Sequence, residues 1–365
     1  MSSKLTLLSI FKKTLSLIVF LLSIHIKIFG QEAAFSQFYA APIFLNPSMA
    51  AADDHLAVGF NYRTNYNKNL APYKLGQFSI ILPVRINSSL SNDKYFRNGY
   101  VGGVGISLYS ESMGDLGQFN VSGASLATAY FLQVNHKHHI TLGVQMGFIK
   151  RSIAFNKLTW GSQYDPDIGF NSNIIPSLEL DEEKIWYNSI HFGATWFYNM
   201  NSFGSSENSK FRMFNGFAFS NLNKPEYSFV QGQNTRLEML LKIHGGLAFK
   251  LADNIEIIPN YLIMRQNGLN HINIGTYVAY YISGSVSSKS NFYQLQLGSW
   301  YRFGDSYIVS LACEMRNLIV GISYDLNLSS YKFENKGTRT VEISIRFRNG
   351  NAGQQPRRNI SHPII

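Results

Sequence analysis

From His55 onward the chain is built of stretches in which apolar residues alternate with polar or small ones at a period of two, separated by clusters of Asn, Ser, Gly, Asp and Lys. The cleanest lie near the C-terminal end. Val341, Ile343, Ile345 and Phe347 alternate with Glu342, Ser344 and Arg346, and Leu318, Val320, Ile322, Tyr324, Leu326 and Leu328 alternate with Ile319, Gly321, Ser323, Asp325 and Asn327. Leu237, Met239, Leu241, Ile243, Leu247 and Phe249 form another such face, as do Ile140, Leu142, Val144, Met146 and Phe148. Alternation alone suits a soluble sandwich as well as a membrane barrel, so strand length and number must separate them. The expected strand cores are 55 to 63, 75 to 85, 99 to 109, 118 to 133, 138 to 152, 186 to 199, 211 to 221, 237 to 251, 255 to 264, 271 to 283, 292 to 303, 306 to 315, 317 to 328 and 338 to 348. They number about fourteen, and most reach the roughly 9 to 11 residues that a tilted membrane strand needs, whereas sandwich strands run nearer 5 or 6.

Beyond residue 30 no apolar run is long enough for a membrane helix, so a spanning chain of this kind must close into a barrel. Composition agrees: 27 Phe, 21 Tyr and 29 Gly beside only 15% charged residues is more aromatic and less charged than a usual soluble domain. The expected fold is all-β, a transmembrane outer-membrane β-barrel of about 14 antiparallel strands over residues 55–348. On its lipid side Ile343→Arg should impair assembly, whereas Ser344→Arg, pointing into the lumen, should be tolerated.

Residues 1–30 read as a secretory signal, with Lys4, Lys12 and Lys13 ahead of the apolar run Leu15 to Ile24 and Gly30 as the small residue before a cut at Gln31. Removing it takes four lysines and leaves 28 basic against 22 acidic side chains, a charge of +6. That is a weak hint of acidic partners and no evidence of nucleic-acid binding. Cys313 is the only cysteine, which excludes an intramolecular disulfide and a Cys-based zinc cluster. At the other end, residues 349–365 lose the alternation, carry Arg357 and Arg358, and read as a periplasmic tail.

With the N-terminus on the periplasmic side, the short connections Val134 to Lys137, Ala252 to Asn254 and the turn near Arg316 fall inside, and the long ones, Ser152 to Ile185 and Leu222 to Arg236, fall outside. This is the usual asymmetry of outer-membrane barrels. The aromatic pairs Trp186-Tyr187, Trp196-Tyr198, Tyr280-Tyr281 and Trp300-Tyr301 suit interfacial girdles, with core packing as the alternative.

Residues 31–54 are a different kind of sequence. Pro42 and Pro47 remove backbone donors and push Ala41 and Asn46 away from the α region, so an extended, kinked segment is expected. Phe35, Phe38, Phe44 and Leu45 need something to pack on, and the expectation is a segment docked at the periplasmic mouth of the barrel.

The stretch Phe35-Ser36-Gln37-Phe38-Tyr39, followed by Pro42 and by Phe44-Leu45-Asn46-Pro47-Ser48, resembles the start of the mature PorP/SprF family, outer-membrane proteins associated with type IX secretion and gliding. The likeness runs over nearly all the mature chain, through Leu158-Thr159-Trp160-Gly161-Ser162-Gln163-Tyr164-Asp165-Pro166-Asp167 with Gly169-Phe170, Asn221-Leu222-Asn223-Lys224-Pro225, His244-Gly245-Gly246, Trp300-Tyr301-Arg302 and Gly321-Ile322-Ser323-Tyr324-Asp325. Ser48, where the family often has Ala, and the basic tail depart from it. The resemblance implies a non-enzymatic barrel that acts as an accessory or anchoring component for protein secretion, surface adhesin attachment or gliding. Its implied partners are outer-membrane lipid, type IX machinery, periplasmic peptidoglycan-associated proteins and a secreted surface cargo protein, with no cofactor. Phe35, Gln37, Phe38, Asn46, Pro47, Trp160, Tyr164, Asp165 and Phe170 are the candidate partner-binding residues.

Few residues suggest chemistry. Asp165, Asp167 and Asn171 offer oxygen ligands for Ca²⁺, but an Asp-Pro-Asp turn accounts for them more simply. His136, His138 and His139 invite a metal, yet consecutive residues of an extended strand face opposite sides, and a solvated basic turn is the plainer reading. Gly102-Gly103-Val104-Gly105 lacks the lysine and helix of a phosphate loop, and such glycines in a strand permit close backbone approach. No G-x-S-x-G frame occurs. A general porin or transporter is the alternative function, and a barrel hydrolase requires that Ser, His and an acid converge from separate strands.

Overall fold

In a computed structural model, residues 34–66, 72–86, 99–114, 118–135, 137–154, 158–171, 173–174, 184–198, 211–229, 235–252, 254–282, 293–315, 317–328 and 339–349 are described. The expected signal segment, the cut at Gln31, His136 and the tail beyond Asn349 lie outside them.

Fourteen strands close into one antiparallel barrel: β1 (Leu56–Tyr66), β2 (Tyr73–Arg85), β3 (Tyr100–Met113), β4 (Phe119–Gln133), β5 (His138–Ile153), β8 (Lys184–Tyr198), β9 (Phe211–Ser220), β10 (Leu240–Ala252), β11 (Ile255–Gln266), β12 (Leu269–Tyr281), β13 (Tyr293–Arg302), β14 (Ser306–Met315), β15 (Leu318–Asn327) and β16 (Arg339–Asn349). The two-residue strands β6 (Tyr164–Asp165) and β7 (Gly169–Phe170) form a small hairpin in the connection between β5 and β8. Each barrel strand pairs with its neighbour along the chain, and β1 closes the ring against β16, with Phe60 opposite Ile345 and Tyr62 opposite Ile343. All the strands expected from the alternation are present in the expected order. No helix among the described residues is long and apolar enough to cross a membrane.

The barrel is apolar outside and polar within. Phe60, Phe78, Leu108, Leu126, Leu142, Phe148, Leu297, Leu311, Ile322 and Ile343 are exposed on the outer wall. Asn61, Gln77, Ser107, Thr141, Thr195, Lys242, His244, Asn273, Arg302, Asp325 and Glu342, on alternate positions of the same strands, are buried. A soluble protein inverts this arrangement; only a hydrocarbon solvent makes the outer wall stable and forces the strands to satisfy every backbone group by closure. The rim where β1 begins and β16 ends is called the lower rim below, and the opposite rim the upper.

The aromatic pairs divide between girdle and lumen because neighbours along a strand face opposite sides. Trp186, Tyr280 and Tyr301 are exposed on the outer wall. Tyr281 instead donates to Glu256, and Trp300 is 2% exposed inside the lumen, where its indole donates to Asn260. Trp300 is therefore a core aromatic.

Candidate functional site

A narrow polar lumen would normally hold water, but here the chain fills it with its own N-terminal segment. Residues 35–52 lie inside the wall, and Phe35, Tyr39, Ile43, Asn46, Ser48, Met49 and Ala50 are almost wholly buried. The segment is coiled, where an extended one at the mouth was expected. Phe38–Ala40 form a 3₁₀ turn, Pro42–Leu45 a turn of α-helix and Pro47–Ala51 a longer 3₁₀ turn. Pro42 and Pro47 stand at the starts of the second and third turns, where the missing N–H costs nothing and the fixed φ suits a helix. The residues before them are indeed excluded from the α region: Asn46 sits at φ −154°, ψ 123°. Compactness then follows from the apolar side chains, because Phe38, Tyr39, Leu45 and Met49 pack on Phe197, Phe214, Ile258, Leu262, Tyr277 and Trp300 of the wall.

Three polar anchors hold this plug. At its upper end Glu342 accepts from the backbone N–H of Ser36 at 2.7 Å and of Gln37 at 2.9 Å, and Ser344 donates to the Gln37 side chain at 2.8 Å. Beside them Asp325 accepts from Ser36 Oγ at 2.5 Å, from Arg302 at 3.1 Å and from Arg63 at 3.3 Å, and Arg63 also donates to the Ala34 carbonyl. Two arginines and two carboxylates buried together offset one another, so the charges cost far less than they would alone.

The middle anchor is Asn46. Its amide nitrogen lies within hydrogen-bond reach of the Ala194 carbonyl (3.3 Å), Thr195 Oγ1 (3.2 Å), the Phe217 carbonyl (3.1 Å) and His244 Nε2 (3.0 Å). Its oxygen accepts from Ser48 N at 2.9 Å and Ser48 Oγ at 2.7 Å. The third turn comes so close to the wall that side chains are excluded from it. A Cβ on Gly103 would collide with the Ala50 carbonyl oxygen, and one on Gly143 with the backbone of Pro47 and Ser48. Gly103 thus allows the close backbone approach expected of a strand glycine.

The third anchor lies at the lower rim. Asp53 meets His55 at 2.7 Å and Arg348 at 3.4 Å, and Asp54 meets His55 at 2.9 Å and Arg85 at 3.5 Å; Tyr100 donates to the Asp53 carbonyl. Asp53, Asp54 and His55 are the one cluster of three potential metal ligands among the described residues, and the two guanidinium groups already neutralise it. Burial opposes charge on Asp53, but its bond to His55 and the nearby Arg348 hold the carboxyl well below the usual range. Burial likewise opposes charge on His55, and the bonds to Asp53 and Asp54 overcome it, raising the imidazole to about 9. Stability from the depressed Asp53 is present above its ordinary 3.8 and lost as pH falls through the folded value. Stability from His55 is complete below its ordinary 6.5 and lost as pH rises through about 9. The latch should therefore be tightest from about pH 4 to about pH 6.5. The protection of the residue 52–55 amides, their exchange rate relative to the intrinsic rate at each pH, should be greatest in that window and fall on both sides of it.

The upper loops hold the other predicted residues. Gln163 organises the Trp160-to-Phe170 stretch: its side chain accepts from Trp160 N and donates to the Ile174 carbonyl. Asp165 Oδ1 accepts from the amides of Asp167 and Ile168, closing the turn of the β6–β7 hairpin, where Gly169 takes φ +84°. The Asp-Pro-Asp stretch is thus a turn, its carboxylate used by its own backbone. Tyr164, Ile168 and Phe170 are exposed at 63%, 75% and 51%. Of the predicted partner residues, then, Tyr164 and Phe170 present surface to solvent, whereas Phe35, Gln37, Phe38, Asn46 and Pro47 are turned onto the barrel's own wall.

Of the three histidines expected at this turn, the two described do not share a face. His138 stacks on Trp196 outside and His139 on Phe197 inside. Ser189 and His191 form a pair at 2.8 Å on the inner wall, with no acid hydrogen-bonded to His191 among the described residues. The convergence a hydrolase requires is not found there.

An apolar outer belt, fourteen strands in a closed ring and a lumen occupied by the chain itself define an outer-membrane β-barrel. Residues 28–347 match the family described as "Type IX secretion system membrane protein PorP/SprF", and the chain belongs to this family. Among curated proteins none matches it in sequence. Similar solved structures include the Ralstonia pickettii toluene transporter TbuX (12% identity, 88% of this chain and 95% of that one, TM-score 0.47). A Pseudomonas aeruginosa FadL homologue is also similar (10% identity, 87% and 95%, TM-score 0.40). So is CdiB from Acinetobacter baumannii (8% identity, 80% and 60%, TM-score 0.40).

Proposed function

We propose that this protein is a non-enzymatic anchor in the outer membrane, serving type IX secretion, surface adhesin attachment or gliding rather than solute transport. The observation that carries this reading is the filled lumen. A segment held by three polar anchors and an apolar cluster occupies the lumen that a general porin would keep open. The family supplies the secretion context.

In this reading the lower rim faces the periplasm, after cleavage of the signal, and meets the type IX machinery and peptidoglycan-associated proteins. The upper loops meet the exported cargo through Tyr164 and Phe170, with Trp160 and Asp165 shaping the stretch that presents them. Aromatic side chains that stand clear of a hairpin held by its own hydrogen bonds suit such recognition, since they bury large area with little ordering cost. Phe35, Gln37, Phe38, Asn46 and Pro47 act indirectly, by keeping the barrel closed and rigid beneath those loops. A deletion strain tests the assignment. Loss of a particular cargo from the cell surface with unchanged uptake of small solutes is expected. Normal display with impaired uptake would establish a transporter instead.

A further inference from the structure

The outer wall is not uniformly convex. On the lower half of strands β2 to β8 it carries a groove of about 320 Å³, walled by Val84, Thr128, Tyr130, Leu142, Val144 and Phe192. Its floor is the bare backbone of Gly102, Gly103 and Gly143, and a Cβ on Gly103 or Gly143 would point away from it into the lumen. The volume falls at the lower end of the range of small-ligand sites, roughly 300–1,000 Å³. Everything around it belongs to the lipid-facing belt, so its occupant must come from the bilayer.

Directly below the groove the wall becomes polar-aromatic. His138 stands four residues beneath Leu142 on the same face of β5, about 14 Å along the strand, or nearer 10 Å in height at a tilt of about 45°. One leaflet offers about 15 Å of hydrocarbon, so the groove lies within the leaflet and His138 near its surface. His138 stacks on Trp196, at 5.6 Å, and lies tilted against Tyr198, at 4.9 Å. The Trp196 indole donates to His138 Nδ1 at 3.2 Å, which leaves Nε2 as the ring nitrogen for a further partner. Lys137, exposed, adds a cation at the same rim.

We infer that this wall binds one phospholipid of the leaflet at the lower rim, with an acyl chain in the groove and the phosphate against His138 and Lys137. The site also touches the plug across a single layer of backbone. Gly103 and Gly143, which floor the groove outside, are the residues against which Ala50, Pro47 and Ser48 pack inside. This inference goes beyond the anchoring role and does not depend on any cargo.

The full chain, reconstituted in vesicles of phosphatidylethanolamine and phosphatidylglycerol doped with a phosphatidylglycerol bearing a diazirine on its acyl chain, tests it. After irradiation, Tyr130, Leu142 and Val144 should carry label in several-fold excess over Leu297 and Leu311, which face lipid on β13 and β14. Val144→Trp should abolish the excess while heat-modifiable migration reports an intact barrel. Replacing Lys137 and His138 together by Ala should reduce it, and a diazirine fatty acid without a phosphate should label these residues no more than Leu297 and Leu311. Equal labelling of all positions in the wild-type chain would overturn the site. Equal labelling by the fatty acid and the phospholipid would overturn the role given to the phosphate.

Discussion

Asn46→Leu should release the plug from an otherwise intact barrel. Leucine matches asparagine in shape but can neither donate nor accept. The substitution strips Ser48 N of its acceptor and leaves His244 Nε2 without the Asn46 amide, both buried. Each buried polar group so orphaned costs about 1–3 kcal/mol, and about 2–6 kcal/mol for the two approaches the stability of a small domain. The strand ladders do not involve this side chain, so heat-modifiable migration should persist. Protease added to the purified barrel should then cut within residues 35–52, which resist it in the wild-type protein, and planar bilayers should show ion current where the wild-type protein gives none. Asn46→Asp is a second test. It keeps the acceptor for Ser48 but turns a carboxylate toward the carbonyls of Ala194 and Phe217, and should be as damaging as leucine. If both variants remain protease-resistant and silent, the plug is held by its apolar contacts alone.

The strands were legible in the sequence because each one repeats its two-residue signal about six times, and turn residues punctuate the repeats. Val341 to Phe347 shows why even the facing was readable: Ile343, Ile345 and Phe347 are exposed to lipid, and Glu342, Ser344 and Arg346 are buried in the lumen. The plug was readable only in part. Its prolines and aromatics marked an apolar segment that must pack on something, but local rules alone suggested extension. What coils it is the wall's shape and the acceptors Glu342 and Asp325, about three hundred residues away along the chain. Glu342 itself carried a signal, a carboxylate on the inner face of a strand, yet nothing local says that its partners are the amides of Ser36 and Gln37. Barrel closure, which pairs Glu342 with Arg63, is what brings them together.

That closure also changes what is expected of arginine at the C-terminal strand. Ile343 is 41% exposed on the outer wall and pairs with Ile322 and Tyr62 near the middle of its strand, so Ile343→Arg places a guanidinium in hydrocarbon. There the cost is about 2–4 kcal/mol, enough to impair assembly. A neighbouring Ser344→Arg would be mild if the lumen held water. Instead Ser344 is 6% exposed, donates to Gln37, and lies beside Gly321, so an arginine has neither room nor solvent. It adds a charge to a packed interior and removes a hydrogen bond; overpacking of this kind costs about 1–3 kcal/mol before any desolvation. Ser344→Arg should therefore be defective too, but differently. Ile343→Arg should lower the amount of heat-modifiable barrel in the outer membrane. Ser344→Arg should allow the barrel to form while opening residues 35–40 to protease, because the outer wall is untouched and only the plug is displaced. Deleting residues 34–52 in the Ser344→Arg chain separates the two effects: without a plug the arginine faces open space, and assembly should return to that of the plug deletion alone. An assembly defect that survives the deletion would place the fault in the wall itself.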